Sequence, residues 1–158
     1  MNTKEIFDYI KSKKPLLEIE FFDVKPQNSI IVKSSQLIEF AEFLKEDSAL
    51  LFDMCLSICG VDYPKENIME CVYEVFSTKH LHRISFKVRV PRDNPTIPSV
   101  SRIWKAADWH ERETYDLVGI IYQGHPFLKR ILLPEDWEGH PLRKDYVFPK
   151  FYRDIPLT

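Results

Sequence analysis

The sequence predicts an α+β fold: a single domain with a mixed or antiparallel sheet flanked by helices, plus an extended, loop-rich C-terminal tail. Three observations carry this. Apolar residues recur with both the helical and the strand period up to about residue 118. The two kinds of segment do not alternate as regular βαβ units, which argues against a doubly wound parallel sheet. Beyond Gly119 both periods fade, and three of the four glycines and four prolines fall between 119 and 149. We therefore expect an α+β domain over 1–118 and an extended docking segment over 119–158.

Taking the elements in order, Thr3 is placed to cap a first helix through about Ser12, with Ile6, Phe7 and Ile10 on one face. Leu16 to Val24 alternates as a half-buried strand, Pro26-Gln27-Asn28 turns the chain, and Ile30-Ile31-Val32 forms a short partner strand. Ser34 or Ser35 is a cap for a second helix carrying Leu37, Phe40, Ala41 and Leu44. Leu50 to Ile58 reads as a strand closed by Gly60-Val61-Asp62-Tyr63-Pro64. Met69 to Phe76 and His82 to Val90 read as a hairpin around Ser77-Thr78-Lys79-His80, its second arm cationic on one face, which is either solvated, the commoner case, or turned to an acidic partner. Pro91, Pro95 and Pro98 stiffen a connector. Ser99 then caps a helix with Val100, Ile103, Trp104 and Ala107 at helical spacing, and Asp108 with Glu111 has the spacing of a capping box for a last helix ending near Gly119.

Composition excludes several function classes. The 158 residues are 44% hydrophobic and 29% charged with a net charge of −2, ordinary values for a globular chain with no positive field for nucleic acid. No two of the four glycines are close enough for a phosphate-cradling Gly-x-Gly loop. Cys55, Cys59 and Cys71 form no Cys-x-x-Cys pair and are too few for an ordinary four-cysteine iron–sulfur cluster. No apolar run reaches the ~20 residues of a membrane helix, and no secretory signal is visible at Met1-Asn2-Thr3-Lys4-Glu5. The expectation is a soluble intracellular chain.

The last helix is unusual. Trp109, Arg112, Glu113 and Asp116 share one face where an amphipathic helix would carry leucines, so the face is either exposed or paired with Lys129, Arg130 or Arg143. His110-Glu111-Arg112-Glu113-Thr114 fails as a zinc-protease helix because position 114 is not histidine. Gly124-His125-Pro126-Phe127-Leu128-Lys129-Arg130 is echoed by Gly139-His140-Pro141-Leu142-Arg143-Lys144. With His110 this invites a three-histidine metal site, as in a metal-dependent hydrolase, but local hydrogen bonding of the histidines with the basic pairs projecting outward explains the segments better. Pro134-Glu135-Asp136-Trp137-Glu138 supplies an aromatic anchor and acids of interface type.

The string Glu111-Arg112-Glu113, Asp116, His125, Lys129-Arg130-Ile131-Leu132 and its continuation Leu133-Pro134-Glu135-Asp136-Trp137-Glu138-Gly139-His140-Pro141-Leu142-Arg143-Lys144-Asp145-Tyr146 resembles the signature of a complex I family, that of the C-type or 30 kDa subunit of NADH:quinone oxidoreductase. The resemblance runs from about Pro91 to Tyr152, more loosely in Val61-Asp62-Tyr63-Pro64, and departs at Val118 and Phe127. It implies a non-catalytic peripheral-arm subunit of a respiratory enzyme that couples electron transfer to proton translocation. It also implies no cofactor on this chain, the flavin mononucleotide (FMN), iron–sulfur clusters and quinone of the complex being held elsewhere. The implied partners are the large quinone-site subunit of the D type and other peripheral-arm subunits, and the implied location is the cytoplasmic face of a membrane. The implied interface residues are Trp109, Glu111, Arg112, Glu113, Asp116, His125, Lys129, Arg130, Trp137, Glu138, His140, Arg143, Lys144 and Asp145. The tail Tyr146-Val147-Phe148-Pro149-Lys150-Phe151-Tyr152 is similar to the plastid and cyanobacterial form, whose donor is not NADH, so the donor stays open. The equivalent subunit of a membrane-bound nickel–iron hydrogenase or formate hydrogenlyase is the alternative.

Overall fold

Helix α1 (Thr3–Lys13) is capped by Asn2 rather than by Thr3: the Asn2 side-chain oxygen accepts from the Glu5 N–H, and the Glu5 carboxylate accepts from the Asn2 N–H. The asparagine sits one residue earlier with the extended backbone a cap needs. Ile6 and Ile10 are buried, as their spacing predicts. The computed structural model describes residues 1–24 and 28–157, so the turn expected at Pro26-Gln27-Asn28 lies largely outside the described residues.

Strands β1 (Ile19–Phe22) and β2 (Ser29–Val32) pair antiparallel. The chain then enters α2 (Leu37–Glu46) through a 3₁₀ turn at Ser34–Gln36, and no side chain caps either. Ser34 lies inside that turn and directs its hydroxyl to the Thr96 carbonyl, so the serine cap is not formed. Leu37, Phe40, Ala41 and Leu44 are buried as expected. The next strand starts later than its apolar run suggests. Residues 50–53 fold back onto the end of α2, where the Phe52 N–H donates to the Leu44 carbonyl and the Trp104 indole N–H donates to the Phe52 carbonyl. Strand β3 therefore runs Met54–Tyr63, with Gly60 inside it rather than closing it.

Strands β4 (Ile68–Ser77) and β5 (His82–Pro91) form the expected hairpin, and the five strands take the order β1-β2-β5-β4-β3, parallel only between β2 and β5. Phe86 on β5 anchors the core, stacked on Tyr73 with ring centroids 4.6 Å apart and edge-on to Phe40 of α2. The opposite sheet face is less simply solvated than the alternation implies. Glu70 is almost wholly buried there between Lys87 (3.1 Å) and Arg89 (2.7 Å), and both cations lie over the Phe22 ring.

Strand β6 (Thr96–Pro98) pairs parallel with β7 (Ile121–Gln123), a pairing the fading periodicity beyond Gly119 does not suggest. No helix forms between them at Ser99. Val100, Ile103, Trp104 and Ala107 are buried all the same, but on a series of turns. The Ser99 hydroxyl that would cap a helix instead donates to Glu111. Helix α3 (Ala107–Val118) begins after Ala106 without a side-chain cap, because Glu111 turns into the core rather than back to Asp108. Two short strands, β8 (Phe151–Tyr152) and β9 (Ile155–Pro156), close the chain as a hairpin.

Candidate partner-docking site

Helix α3 is the scaffold of the region, and the two echoed Gly-His-Pro segments clamp its two ends. At the first turn, the His125 Nε2–H donates to the Asp108 carbonyl (3.2 Å) while its Nδ1 accepts from the Phe127 N–H (3.0 Å), so one neutral tautomer satisfies both bonds. One turn further, the fully buried Glu111 carboxylate accepts from Val100 N–H (2.7 Å) and Ser99 Oγ (2.6 Å). Burial dominates there: it pushes the Glu111 carboxyl up to about 7, against the pull of the Ser99 and Val100 bonds and with the help of nearby Asp108.

Asp116 is equally buried but better supplied. Its Oδ2 accepts from the main-chain N–H groups of Ile131 (2.9 Å), Leu132 (2.8 Å) and Leu133 (2.9 Å), and its Oδ1 from Arg130 (2.8 Å). Burial alone would raise this carboxyl, yet the Leu133 N–H, Arg130 and the other two N–H groups together hold it below the ordinary range. The carbonyls that end a helix normally lack partners. Here Arg130 and His140 Nδ1 both donate to the Asp116 carbonyl, Leu142 N–H to that of Leu117, and Arg143 Nε to that of Val118. Burial and the neighbouring Arg143 and Arg130 lower the His140 imidazole, outweighing its bond to the carbonyl, so it caps the helix in the neutral form. Of the basic pairs, then, Arg130 and Arg143 point inward. Only Lys129 and Lys144 project outward, because helix ends in need of donors lie within reach of the arginines.

A second clasp ties the segment to the sheet. Arg92 grips buried Asp62 through two bonds (2.7 and 3.2 Å) and also reaches Asp145 (2.5 Å), while the Lys144 N–H donates to Asp62 (2.9 Å). Neither Arg92 nor Asp62 is among the interface residues the sequence suggests. The signal available was a lone acid near the end of an otherwise uncharged strand. Trp137 is half-buried, donating to the Tyr146 hydroxyl (2.9 Å) and packing on Tyr152, and the Glu138 carbonyl accepts from the same Tyr146 hydroxyl.

What faces outward is specific in type. Trp109 is 62% exposed and Phe127 54% exposed, with the Arg112 guanidinium 5.3 Å from both ring centres and Lys129 over Phe127. Arg112 is held by the carbonyls of Lys129 and Arg130. Leu132, Leu142, Val147, Phe148, Phe151, Ile155 and Leu157 are all exposed along the same segment. Among the described residues, no group of three or more His, Cys, Asp and Glu side chains is arranged to hold a metal ion, and His110, His125 and His140 are not brought together as ligands.

Residues 30–152 match the family model described as the respiratory-chain NADH dehydrogenase 30 kDa subunit. The chain belongs to that family. A C-type subunit of NADH-quinone oxidoreductase from Roseiflexus sp. (strain RS-1) is 48% identical over 118 residues, 74% of this chain and 68% of the relative. One from Chlorobium phaeobacteroides is 44% identical over 128 residues, 80% and 77% of the two chains. Among solved structures, a chain of the archaeal membrane-bound sulfane sulfur reductase, a respiratory membrane complex, superimposes with a TM-score of 0.75 at 28% identity, covering 91% of this chain and 85% of its own. The trypsin-resistant fragment of Nqo5 does so with a TM-score of 0.63 at 27% identity, covering 81% of this chain and all of its own. The matched stretch of this 30 kDa family member contains both clamp segments and the Asp62–Arg92 clasp.

Proposed function

We propose that the chain is the 30 kDa, C-type subunit of an NADH:quinone oxidoreductase, complex I, an enzyme that couples electron transfer to proton translocation: a non-catalytic peripheral-arm component, active only within the complex. The observation that carries this is the family match over residues 30–152 together with 48% and 44% identity to C-type relatives over most of both chains. The large quinone-site subunit of the D type is the partner, and residues 119–158 with the exposed face of α3 are the docking surface. Trp109, Glu113, Lys129, Glu138 and Lys144 present their side chains outward there, and the apolar ribbon from Leu132 to Leu157 supplies area of the kind interfaces bury. Buried Glu111 and Asp116, with half-buried Arg130, shape that surface from beneath. The FMN, iron–sulfur clusters and quinone of the complex sit on other subunits, and the assembly works at the cytoplasmic face of the membrane.

Purification of the complex through a tag on this chain tests the reading. A large quinone-site subunit should co-purify, and the preparation should reduce quinone with NADH. Trp109→Ala and Glu113→Ala should lower the yield of complex while the isolated chain keeps its melting temperature. A chain recovered without redox partners overturns the assignment, and a complex inert toward NADH but active with ferredoxin or hydrogen moves it to another branch of the superfamily.

A further inference from the structure

Strand β3 is an edge strand, ten residues long and, among the described residues, paired only with β4. Along it the chain exposes Met54, Leu56, Cys59 and Tyr63, and its only charge, Asp62, is already bound by Arg92 and the Lys144 N–H. A long, apolar, unprotected edge is a template for another strand unless something blunts it. Among the described residues, one group reaches the main chain of residues 58–62 from outside the sheet, the Thr114 hydroxyl, 3.4 Å from the Ile58 carbonyl. That contact also fixes the register. Ile58 turns its main chain away from β4, and by the two-residue period of an antiparallel ladder Gly60 and Asp62 do the same.

Helix α3 runs beside this edge. A Cβ on Gly60 would lie 2.6 Å from Thr114 Cγ2 and 3.3 Å from Val118 Cβ, so the strand and helix touch at that glycine. Next to the contact lies a slot of about 120 Å³ lined by Ile58, Cys59, Gly60, Leu117, Leu142 and, at the rim, Glu113. Glu113 is exposed and, among the described residues, has no ion-pair partner. An open strand edge alongside a helix, with one side-chain slot between them, is the geometry by which extended peptides are added to sheets.

We propose that residues 58–62 accept an extended segment of another subunit as a sixth strand, with one short aliphatic side chain in the slot and a Lys or Arg against Glu113. The inference rests on the subunit reading above and extends that docking surface onto the β3 edge, which adjoins it at Glu113 and Leu142. A second copy of this chain is a poorer occupant, because β3 itself carries no basic residue to meet Glu113.

Cys59 makes the test direct. It is the exposed cysteine, while burial pushes the Cys55 and Cys71 thiols up to about 12 and out of reach of alkylation near neutral pH. N-ethylmaleimide should label one site rapidly in the isolated chain and at least tenfold more slowly in the purified complex. The amides of 58, 60 and 62 should gain hydrogen-exchange protection on assembly. Cys59→Arg, which fills the slot and answers Glu113 from within, should cut co-purification of the partner at least fivefold with the melting temperature unchanged. Equal labelling of Cys59 in the chain and the complex overturns the inference while leaving the subunit reading intact. Protection that appears in the isolated chain together with dimer formation overturns it in favour of a second copy. A chain that brings down no partner fails the subunit reading, and this one with it.

Discussion

Glu111 and Asp116 are both carboxylates on α3, both fully buried, and the chain treats them in opposite ways. Asp116 has an arginine and three main-chain donors, whereas Glu111 has two neutral donors, its nearest imidazole nitrogen being 3.9 Å away on His125. The Glu111 carboxyl rises from 4.5 to about 7 on folding, so the folded state binds the extra proton. Its contribution to stability is therefore full below about pH 4.5 and is lost as pH rises through about 7, at no more than about 1.4 kcal/mol per pH unit. Glu111→Gln, which keeps both hydrogen bonds because the Ser99 hydroxyl can accept, should be more stable relative to wild type at pH 8 than at pH 4.5. Urea unfolding at the two pH values measures this, and equal differences would refute it. For Asp116→Ala we expect a loss of about 3–5 kcal/mol, the usual cost of stranding one partner of a buried ion pair. A loss under about 1 kcal/mol would mean that the Ile131–Leu133 turn holds itself.

At the scale of the element, the end of α3 depends on Gly119. Its φ of +84° is left-handed, and a Cβ there would fall 2.5 Å from His140 Cδ2 and 2.7 Å from Arg143 Nη2. Gly124 has nearly the same φ, +81°, with nothing among the described residues within 4 Å of a Cβ. The pair separates backbone strain from lost space. Gly124→Ala should cost about 1 kcal/mol for conformation alone, whereas Gly119→Ala should cost a few kcal/mol and free His140 and Arg143 from their carbonyls. Thermal melts of both variants, with the His140 ring resonances followed by NMR, check this. Equal melting temperatures would mean that the clamp adapts.

For the whole molecule, the segment after Gly119 divides by its bonds. Up to about Tyr146 it is fastened to α3, Asp62 and Arg92, while Val147 and Phe148 are exposed ahead of the final short hairpin and Phe151 and Ile155 are exposed on it. Hydrogen exchange on the isolated chain should show the Ile131–Leu133 amides and those of Leu142 and Lys144 protected, and those of 147–157 exchanging fast. Assembly should then protect 147–157. If the order is reversed, with 131–144 unprotected until a partner is present, the clamp is made by the partner rather than by this chain.

The sequence alone determined the fold class, the positions of α1, α2, the β4–β5 hairpin and α3, and membership of the family, because each rests on local periodicity or on an ordered string of residues. The core faces were legible even where the element was not: Val100, Ile103, Trp104 and Ala107 are buried without the helix their spacing predicted. Tertiary structure alone decided which polar groups are internal. Glu111 reads as half of a capping box, Arg130 and Arg143 either as halves of outward basic pairs or as counter-charges for α3, and Asp62 as part of a closing turn. Each is claimed instead by a group distant in sequence: Glu111 by Val100, Arg143 by the Val118 carbonyl, and Asp62 by Arg92 and Lys144. Hydrophobic burial is roughly proportional to area and has no direction, so it leaves a periodic trace along the chain. A buried charge depends on the few donors that reach it, and where those donors lie is settled only when the chain has folded.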